Sequence, residues 1–198
     1  AIKDMKNPYF FASMMVKLGY ADAEVAGVNS TYPLVLSPAL KVIGAEKDGV
    51  VSGVYYVNYG NNSYFLTDCA VNVDPTSEEL ADIVMNGVEA MERFRFTPKV
   101  AMLSYSNFGS VRDKESRKIE ETIELVLQKR PDLMIDGPIQ ADLALDPDRL
   151  SELYPFTNVK GRPNLLVFPN LSATNISLKL IQRFSKAQII GPIMEGFK

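Results

Sequence analysis

The chain has 198 residues, with 21 basic against 24 acidic side chains, a single cysteine, and neither histidine nor tryptophan. Without histidine there is no Ser-His-Asp triad, Cys-His pair or imidazole metal site, and Cys69 alone forms neither an internal disulfide nor a thiolate zinc cluster. The net charge of −3 lacks the basic excess that nucleic acid or an anionic membrane surface requires, and no apolar run approaches the ~18 residues of a membrane span.

No metal, nucleic-acid partner or membrane partner is therefore expected, and an unpaired thiol suits a reducing, cytoplasmic setting. A chain of this length can bury roughly 70% of its unfolded surface, so it needs no metal or disulfide staple. The opening Ala1-Ile2-Lys3-Asp4 carries neither an initiator methionine nor a signal-peptide core, and it reads as the start of an excised cytosolic piece.

The first element is a helix. Phe10, Phe11, Met14, Met15 and Leu18 recur at spacings of three and four, and Gly19 stops them. A short strand is expected at Glu24–Val28, then a helix from Pro33 to Ile43 ending at Gly44. Val50–Tyr59 and Ser63–Val71 are rich in β-branched and aromatic residues around Gly60-Asn61-Asn62, which predicts an antiparallel hairpin. Its tyrosines cannot stand in water on two strands alone, so the hairpin must pack on a core or on another subunit. Thr76-Ser77-Glu78-Glu79 is a capping-box signature opening a helix striped by Leu80, Ile83, Val84, Val88 and Met91, which Pro98 ends.

From there strands and helices alternate. Strand Val100–Tyr105 leads through Ser106–Ser110 to a helix from Val111 to Lys129; strand Leu133–Ile135 precedes short helical stretches after Pro138 and at Asp148–Tyr154. Strand Leu165–Phe168, a helix from Ala173 to Phe184 and strand Gln188–Ile190 complete the series. Continuous apolar strands between amphipathic helices predict an α/β fold: a mostly parallel sheet covered on both faces, with the hairpin as an antiparallel extension. Cys69, within an apolar strand, reads as an inert buried thiol. The charged run from Arg112 to Glu124 reads as a solvated helix face, with Asp113 and Arg117 as an i, i+4 pair.

Three loops leave strands where open α/β sheets hold ligands. In Ser104-Tyr105-Ser106-Asn107-Phe108-Gly109-Ser110, free N–H groups at a helix start, the hydroxyls of Ser104, Ser106 and Ser110, the small Gly109 and the charge of Arg112 could cradle a phosphate. The same residues also suit plain capping, with Ser110 as cap and Asp113 completing a capping box. In Asp136-Gly137-Pro138-Ile139-Gln140-Ala141-Asp142, two carboxylates and an amide could bind a cation or a polar ligand, or Asp136 could simply close a turn on its own backbone. In Phe168–Asn175, Asn170 suits a cap, whereas Asn175 inside a helix should face something polar.

Taken in order, Asp68-Cys69-Ala70-Val71-Asn72-Val73-Asp74-Pro75, Glu79-Leu80-Ala81, Lys99–Ser106, Asp136–Asp142, Phe168-Pro169-Asn170-Leu171 and Gly191-Pro192-Ile193 resemble the phosphate acetyl/butyryl transferase family along nearly the whole chain. The resemblance implies a three-layer α/β/α fold like that of isocitrate and isopropylmalate dehydrogenases, and an acyl-CoA or CoA ligand. It also implies a homodimer through this region, and a partial domain over 1–198 that lacks its first part and its C-terminal end. Ser106-Asn107-Phe108-Gly109-Ser110 and Gly27–Tyr32, notably Tyr32, are closer to the transacetylase-like domain of hybrid NADP-dependent malic enzymes, since stand-alone transacetylases more often carry Ser-Thr-Lys-Gly-Ser in that loop.

The resulting expectation is an acetyl-CoA-binding regulatory and oligomerising domain of a malic enzyme. NADP, a divalent cation and the oxidative decarboxylation of malate would then belong to residues outside this chain. A fragment of a true phosphate acetyltransferase is the alternative. Ligand contacts are expected from Thr31, Tyr32, Ser104, Ser106, Asn107, Gly109, Ser110, Arg112, Gln140, Asp142, Asn170 and Asn175. The family usually has a basic residue within the segment matching Asn29–Ser37, which is uncharged here. The Leu-Ser-Arg-Gly element and the catalytic aspartate of active transacetylases match nothing in these residues.

Overall fold

The computed structural model describes residues 4–46 and 49–198 and resolves into two compact units, Ala1–Gly49 with Gly196–Lys198, and Val50–Glu195. In the first unit, helix α1 (Pro8–Lys17) is capped by Asn7, whose side chain accepts from the Tyr9 amide, and it ends ahead of Gly19 in the left-handed region. Helix α2 (Tyr32–Val42) follows. The segment expected as a strand at Glu24–Val28 is irregular: Val25 and Val28 lie almost fully in solvent, and among the described residues no neighbouring strand completes a ladder. Two side-chain bonds hold this loop to α1, from Ser13 Oγ to Glu24 Oε2 at 2.8 Å and between the Tyr9 and Ser30 hydroxyls.

The second unit is built on six strands in the order β4-β3-β5-β2-β1-β6. Strands β1 (Ser52–Tyr59) and β2 (Asn62–Thr67) form the expected hairpin across Gly60-Asn61. Helix α3 (Ser77–Arg93) opens with the expected box, Thr76 Oγ1 accepting from the Glu79 amide while Glu79 accepts from the Thr76 amide. Then come β3 (Lys99–Leu103), α4 (Lys114–Lys129), β4 (Met134–Ile139), the short helices α5 (Ala141–Ala144) and α6 (Pro147–Leu153), β5 (Leu165–Val167), α7 (Leu171–Phe184) and β6 (Gln188–Glu195). Strands β2, β5, β3 and β4 are parallel. Strand β6 runs past its expected end at Ile190 and pairs antiparallel with β1 as an edge, a placement that its short apolar run did not reveal.

Alternation along the strands divides the core in two. Val100, Met102, Leu165 and Val167 face α3 and α4 with Ile83, Met91 and Ile119, while Ala101, Leu103 and Leu166 face the other way with Leu143, Leu150 and Leu178 of α5, α6 and α7. Each such fully buried aliphatic side chain contributes about 1.5–3 kcal/mol. Gly87 lets α3 lie close over β5, since a Cβ there would stand 3.1 Å from the Leu165 methyls. The result is a helix–sheet–helix sandwich with a mostly parallel sheet, as the periodicity predicts.

Gly137 fixes the end of β4. Its φ is +155°, and a Cβ would come within 2.6 Å of the Met102 carbonyl oxygen on β3. Gly137→Ala should therefore lose about 2–4 kcal/mol, combining backbone strain with overpacking; a urea midpoint equal to that of the parent protein would show that the strand relaxes freely.

Candidate functional site

All four parallel strands end at the same edge of the sheet, and each exit is closed by side chains bonded to backbone. After β2, the buried Asp68 carboxylate accepts from the amides of Gly53, Ala70 and Asn72 at 2.8–2.9 Å and from the Asn72 side chain, so the turn wraps around one charge. Cys69 beside it is buried; burial first, and then the Asp68 charge, push its thiol well above the ordinary value, so it stays protonated and inert as expected.

The exits of β3 and β4 are locked to each other. Asn107 and Gln140 exchange two bonds: the Asn107 side chain donates to Gln140 Oε1 at 2.7 Å, and the Gln140 amide donates to Asn107 Oδ1 at 2.8 Å. Gln140 Nε2 also donates to the Tyr105 carbonyl. The Phe108 ring wedges between Tyr154 and Phe156 at centroid distances of 4.6 and 5.1 Å. Ser106 is buried, and its hydroxyl has no hydrogen-bond partner among the described residues. Ser104 Oγ lies 3.5 Å from Glu115.

Helix α4 starts later than expected. Asp113, not Ser110, is the cap: its carboxylate accepts from the Ser116 amide at 2.9 Å, and Ser116 Oγ accepts from the Asp113 amide. A carboxylate satisfies a helix start better than a neutral hydroxyl because it also opposes the helix dipole. Ser110 instead accepts from the Asn107 amide and closes the loop. The expected Asp113–Arg117 pair gives way to this cap and to a bond from the Tyr105 hydroxyl.

The exit of β5 joins that of β2. Asn170 caps α7 through the Ala173 amide at 2.9 Å, and the Leu171 amide donates to the Val73 carbonyl. Asn175 meets the polar group its position calls for, donating to the Cys69 carbonyl at 3.3 Å. Lys118 ties three elements together, donating to Asp74 Oδ1 at 3.0 Å and to the Pro169 carbonyl at 2.9 Å with its side chain only 14% exposed. The charged face of α4 is thus not wholly solvated, because this one lysine is spent on the loops.

Between the loop after β2, the first two turns of α4 and the start of α7 lies an open cleft of about 810 Å³. Three helices begin on its walls, α3, α4 and α7. Lys114 and Arg117 stand on it with Asp74, Glu78 and Glu115. Its position follows from topology: β5 sits between β3 and β2, and the chain leaves β5 toward one face of the sheet but leaves β3 and β2 toward the other. Diverging connections at neighbouring carboxyl ends open a crevice.

A family model described as phosphate acetyl/butaryl transferase matches residues 1–198. The chain belongs to that family. It is 42% identical over 203 residues to a phosphate acetyltransferase of Clostridium acetobutylicum, covering 98% of this chain and 61% of that protein. It is 41% identical over 192 residues to an NADP-dependent malic enzyme of Haemophilus influenzae, covering 96% of this chain and 25% of that one. A solved phosphotransacetylase from Streptococcus pyogenes superposes with a TM-score of 0.92 at 36% identity, over 99% of this chain and 60% of that one. The chain therefore spans about three-fifths of the Clostridium acetobutylicum and Streptococcus pyogenes proteins, and the comparisons favour the transferase over the malic-enzyme domain that Ser106–Ser110 and Tyr32 suggested.

The twelve expected ligand residues fall into separate groups. Ser104, Ser106, Asn107, Gly109, Ser110 and Gln140 are together at the β3 and β4 exits, with Arg112 exposed beyond them. Asn170 is on the cleft wall and Asn175 one turn further along α7. Asp142 is exposed, with Arg149 4.0 Å away. Thr31 caps α2 without a side-chain bond and belongs, with Tyr32, to the first unit. Asp136 is taken up structurally, accepting from Gly137, Thr157 and Asn158, which decides its open reading in favour of the turn. Among the described residues no group of His, Cys, Asp and Glu is placed to hold a metal ion.

Lys114, Arg117, Lys118 and Asp74 on the cleft were not among the expected residues. The signal available was two cations a turn apart directly after a strand-exit loop.

Among the carboxylates at this edge with depressed pKa values are Asp113, held first by the Ser116 amide and then by the Tyr105 hydroxyl, and Asp74, held by Lys118. A folded value below the ordinary 3.8 means that the unfolded chain binds protons first. The stability these groups contribute is present above that ordinary value and is lost as pH falls through the lowered ones. Urea midpoints measured downward from pH ~6 should fall less steeply for Asp113→Asn than for the parent protein below the ordinary carboxylate value; parallel curves would remove the cap from the account.

Proposed function

We propose that these residues form part of a phosphate acetyltransferase, which moves an acetyl group between the thiol of coenzyme A and inorganic phosphate. The observation that carries the reading is the gathering of four loops at one sheet edge, in a chain whose relatives include phosphate acetyltransferases at up to 42% identity. In the forward reaction a phosphate oxygen attacks the thioester carbonyl, a C–O bond forms, the C–S bond breaks, and the departing thiolate takes a proton.

In this reading the chain's own contribution is binding and orientation. The locked Ser104–Ser110 loop holds its hydroxyls and N–H groups in place before any ligand arrives, so little ordering entropy opposes binding. The buried Ser106 hydroxyl is a donor awaiting a partner, and Arg112, exposed at the end of the loop, is free to meet a diphosphate. Lys114 and Arg117 supply charge on the switch-point cleft. Neither a base for the CoA thiol nor a donor set for the developing oxyanion is assigned to these residues, and both fall to the remaining two-fifths of a full-length transacetylase. We assign 1–198 as the middle of such a protein, and we propose a homodimer that uses the exposed aromatic surface of the hairpin, where Tyr59 is 56% exposed.

One observation favours a second reading, an acetyl-CoA-sensing domain attached to a malic enzyme: the Haemophilus influenzae malic enzyme is 41% identical over nearly all of this chain. Coupling from such a domain typically amounts to ~1–3 kcal/mol. One assay separates the two. The full-length protein, given acetyl phosphate and CoA, should form acetyl-CoA, and Arg112→Ala should weaken CoA binding by about 1.5–3 kcal/mol. No thioester formation, together with a malate-dependent reduction of NADP that responds to acetyl-CoA, would overturn the transferase in favour of the sensor.

A further inference from the structure

The chain leaving β4 grips the loop that leaves β3. The Ile139 carbonyl accepts from the Ser104 amide at 2.9 Å, and the Pro138 carbonyl accepts from the Phe108 amide at 2.7 Å. Gln140 takes the stretch between. Its side chain donates to the Tyr105 carbonyl at 2.8 Å and accepts from the Asn107 side chain at 2.7 Å, while its backbone amide donates to Asn107 Oδ1 at 2.8 Å. One residue thus holds both neighbours of Ser106.

The gripped conformation is unfavourable in itself. Phe108 has a φ of +44°, in the left-handed region that a residue with a Cβ avoids. Ser106 is 3% exposed, and its hydroxyl, without a partner among the described residues, has lost water and gained no bond in return. A free loop would turn Phe108 back to negative φ and Ser106 Oγ out to water. Strain of this kind persists only where the surroundings impose it, and it collects where a fixed shape serves binding or reaction. Here the imposing groups are on the page: Tyr154 and Phe156 hold the Phe108 ring, and Gln140 holds the chain on either side of Ser106.

We propose that Gln140 is a positioning residue: by clamping Tyr105 and Asn107 it keeps the Ser104–Ser110 loop in the strained shape that receives the phosphate groups of coenzyme A. Both ends of its side-chain amide are turned to this loop, so it acts on the ligand through the loop and not by contact. Asn107, expected with Gln140 as a ligand residue, is the other half of the same clamp. The proposal rests on the transferase reading and adds to it a residue that shapes the site from outside.

The test uses the full-length protein with acetyl phosphate and CoA, and hydrogen–deuterium exchange as a second readout. Gln140→Ala should raise the KM for CoA about tenfold and leave kcat near the parent value, because the loop binds and does not react. Exchange in residues 105–110 should be faster in this variant than in the parent, and saturating CoA should slow it again. Asn107→Ala should raise the same KM, and the double variant should lose far less than the product of the two single losses, since both break one clamp. Gln140 is exposed, so its replacement leaves the core intact, and thermal melts verify that the variants fold. An unchanged KM, unchanged exchange, or losses that multiply in full overturn the positioning role; full multiplication would make Gln140 and Asn107 separate ligand contacts. A parent protein that forms no acetyl-CoA overturns the transferase reading and this proposal with it, so the parent's own turnover tells the two failures apart.

Discussion

Strand β5 is three residues long, buried on both faces, and hydrogen-bonded on both sides, to β2 and to β3. Among the described residues it links the β3–β4 pair to the hairpin half of the sheet, and both halves of the core close on Leu165, Leu166 and Val167. A strand this short cannot hold its place through propensity. It is held by burial, by Gly87 admitting α3 against Leu165, and by Asn164, whose side chain accepts from the Lys99 amide at 2.7 Å and whose amide donates to the Lys99 carbonyl at 2.9 Å. Because β5 leaves the sheet toward the face opposite to its neighbours' exits, the same insertion that completes the sheet also opens the crevice at its carboxyl edge.

Around that edge, polar side chains are divided between structure and chemistry. Asp68, Asp136, Asn170, Asn107, Gln140 and Lys118 are all consumed by backbone or by one another, and they turn four loops into fixed walls. Such pre-organisation removes an entropic cost from any ligand that binds there, but it also disqualifies these groups as acids, bases or ligands, since their lone pairs and protons are already engaged. Among the described residues the Ser106 hydroxyl keeps no partner, and Lys114 and Arg117 stand on the cleft beside Glu78 and Glu115.

The fold was legible because its signals are local and repeated. Apolar stripes at helical spacing, the Thr76 capping box, the hairpin turn and unbroken apolar strands each point to one structure, and together they fix the layered class. The strand order was not legible, because pairing partners depend on contacts far apart in sequence; nothing in Gln188–Glu195 shows that it returns beside β1, and nothing in Glu24–Val28 shows that its β-branched residues find no neighbour. At the strand exits the sequence placed the loops but misjudged the structural roles of individual residues. Ser110 was outcompeted as a cap by Asp113, three positions on, and Lys118 looked like one more solvated charge because its partners, Asp74 and the Pro169 carbonyl, come from two other loops.

The two outer strands limit how the second unit can associate. Strands β4 and β6 are the sheet's edges, and each contains a Gly-Pro step, Gly137-Pro138 and Gly191-Pro192, with a break in register against the neighbouring strand close by. Proline offers no N–H to an incoming strand, and an interrupted register spoils the ladder on which strand addition depends. An edge built this way resists pairing with other chains. Contacts with other proteins must then come from side-chain surfaces, among which the exposed apolar ones include the tyrosine-bearing end of the hairpin, Leu153 and Phe156, and the outer row of α7.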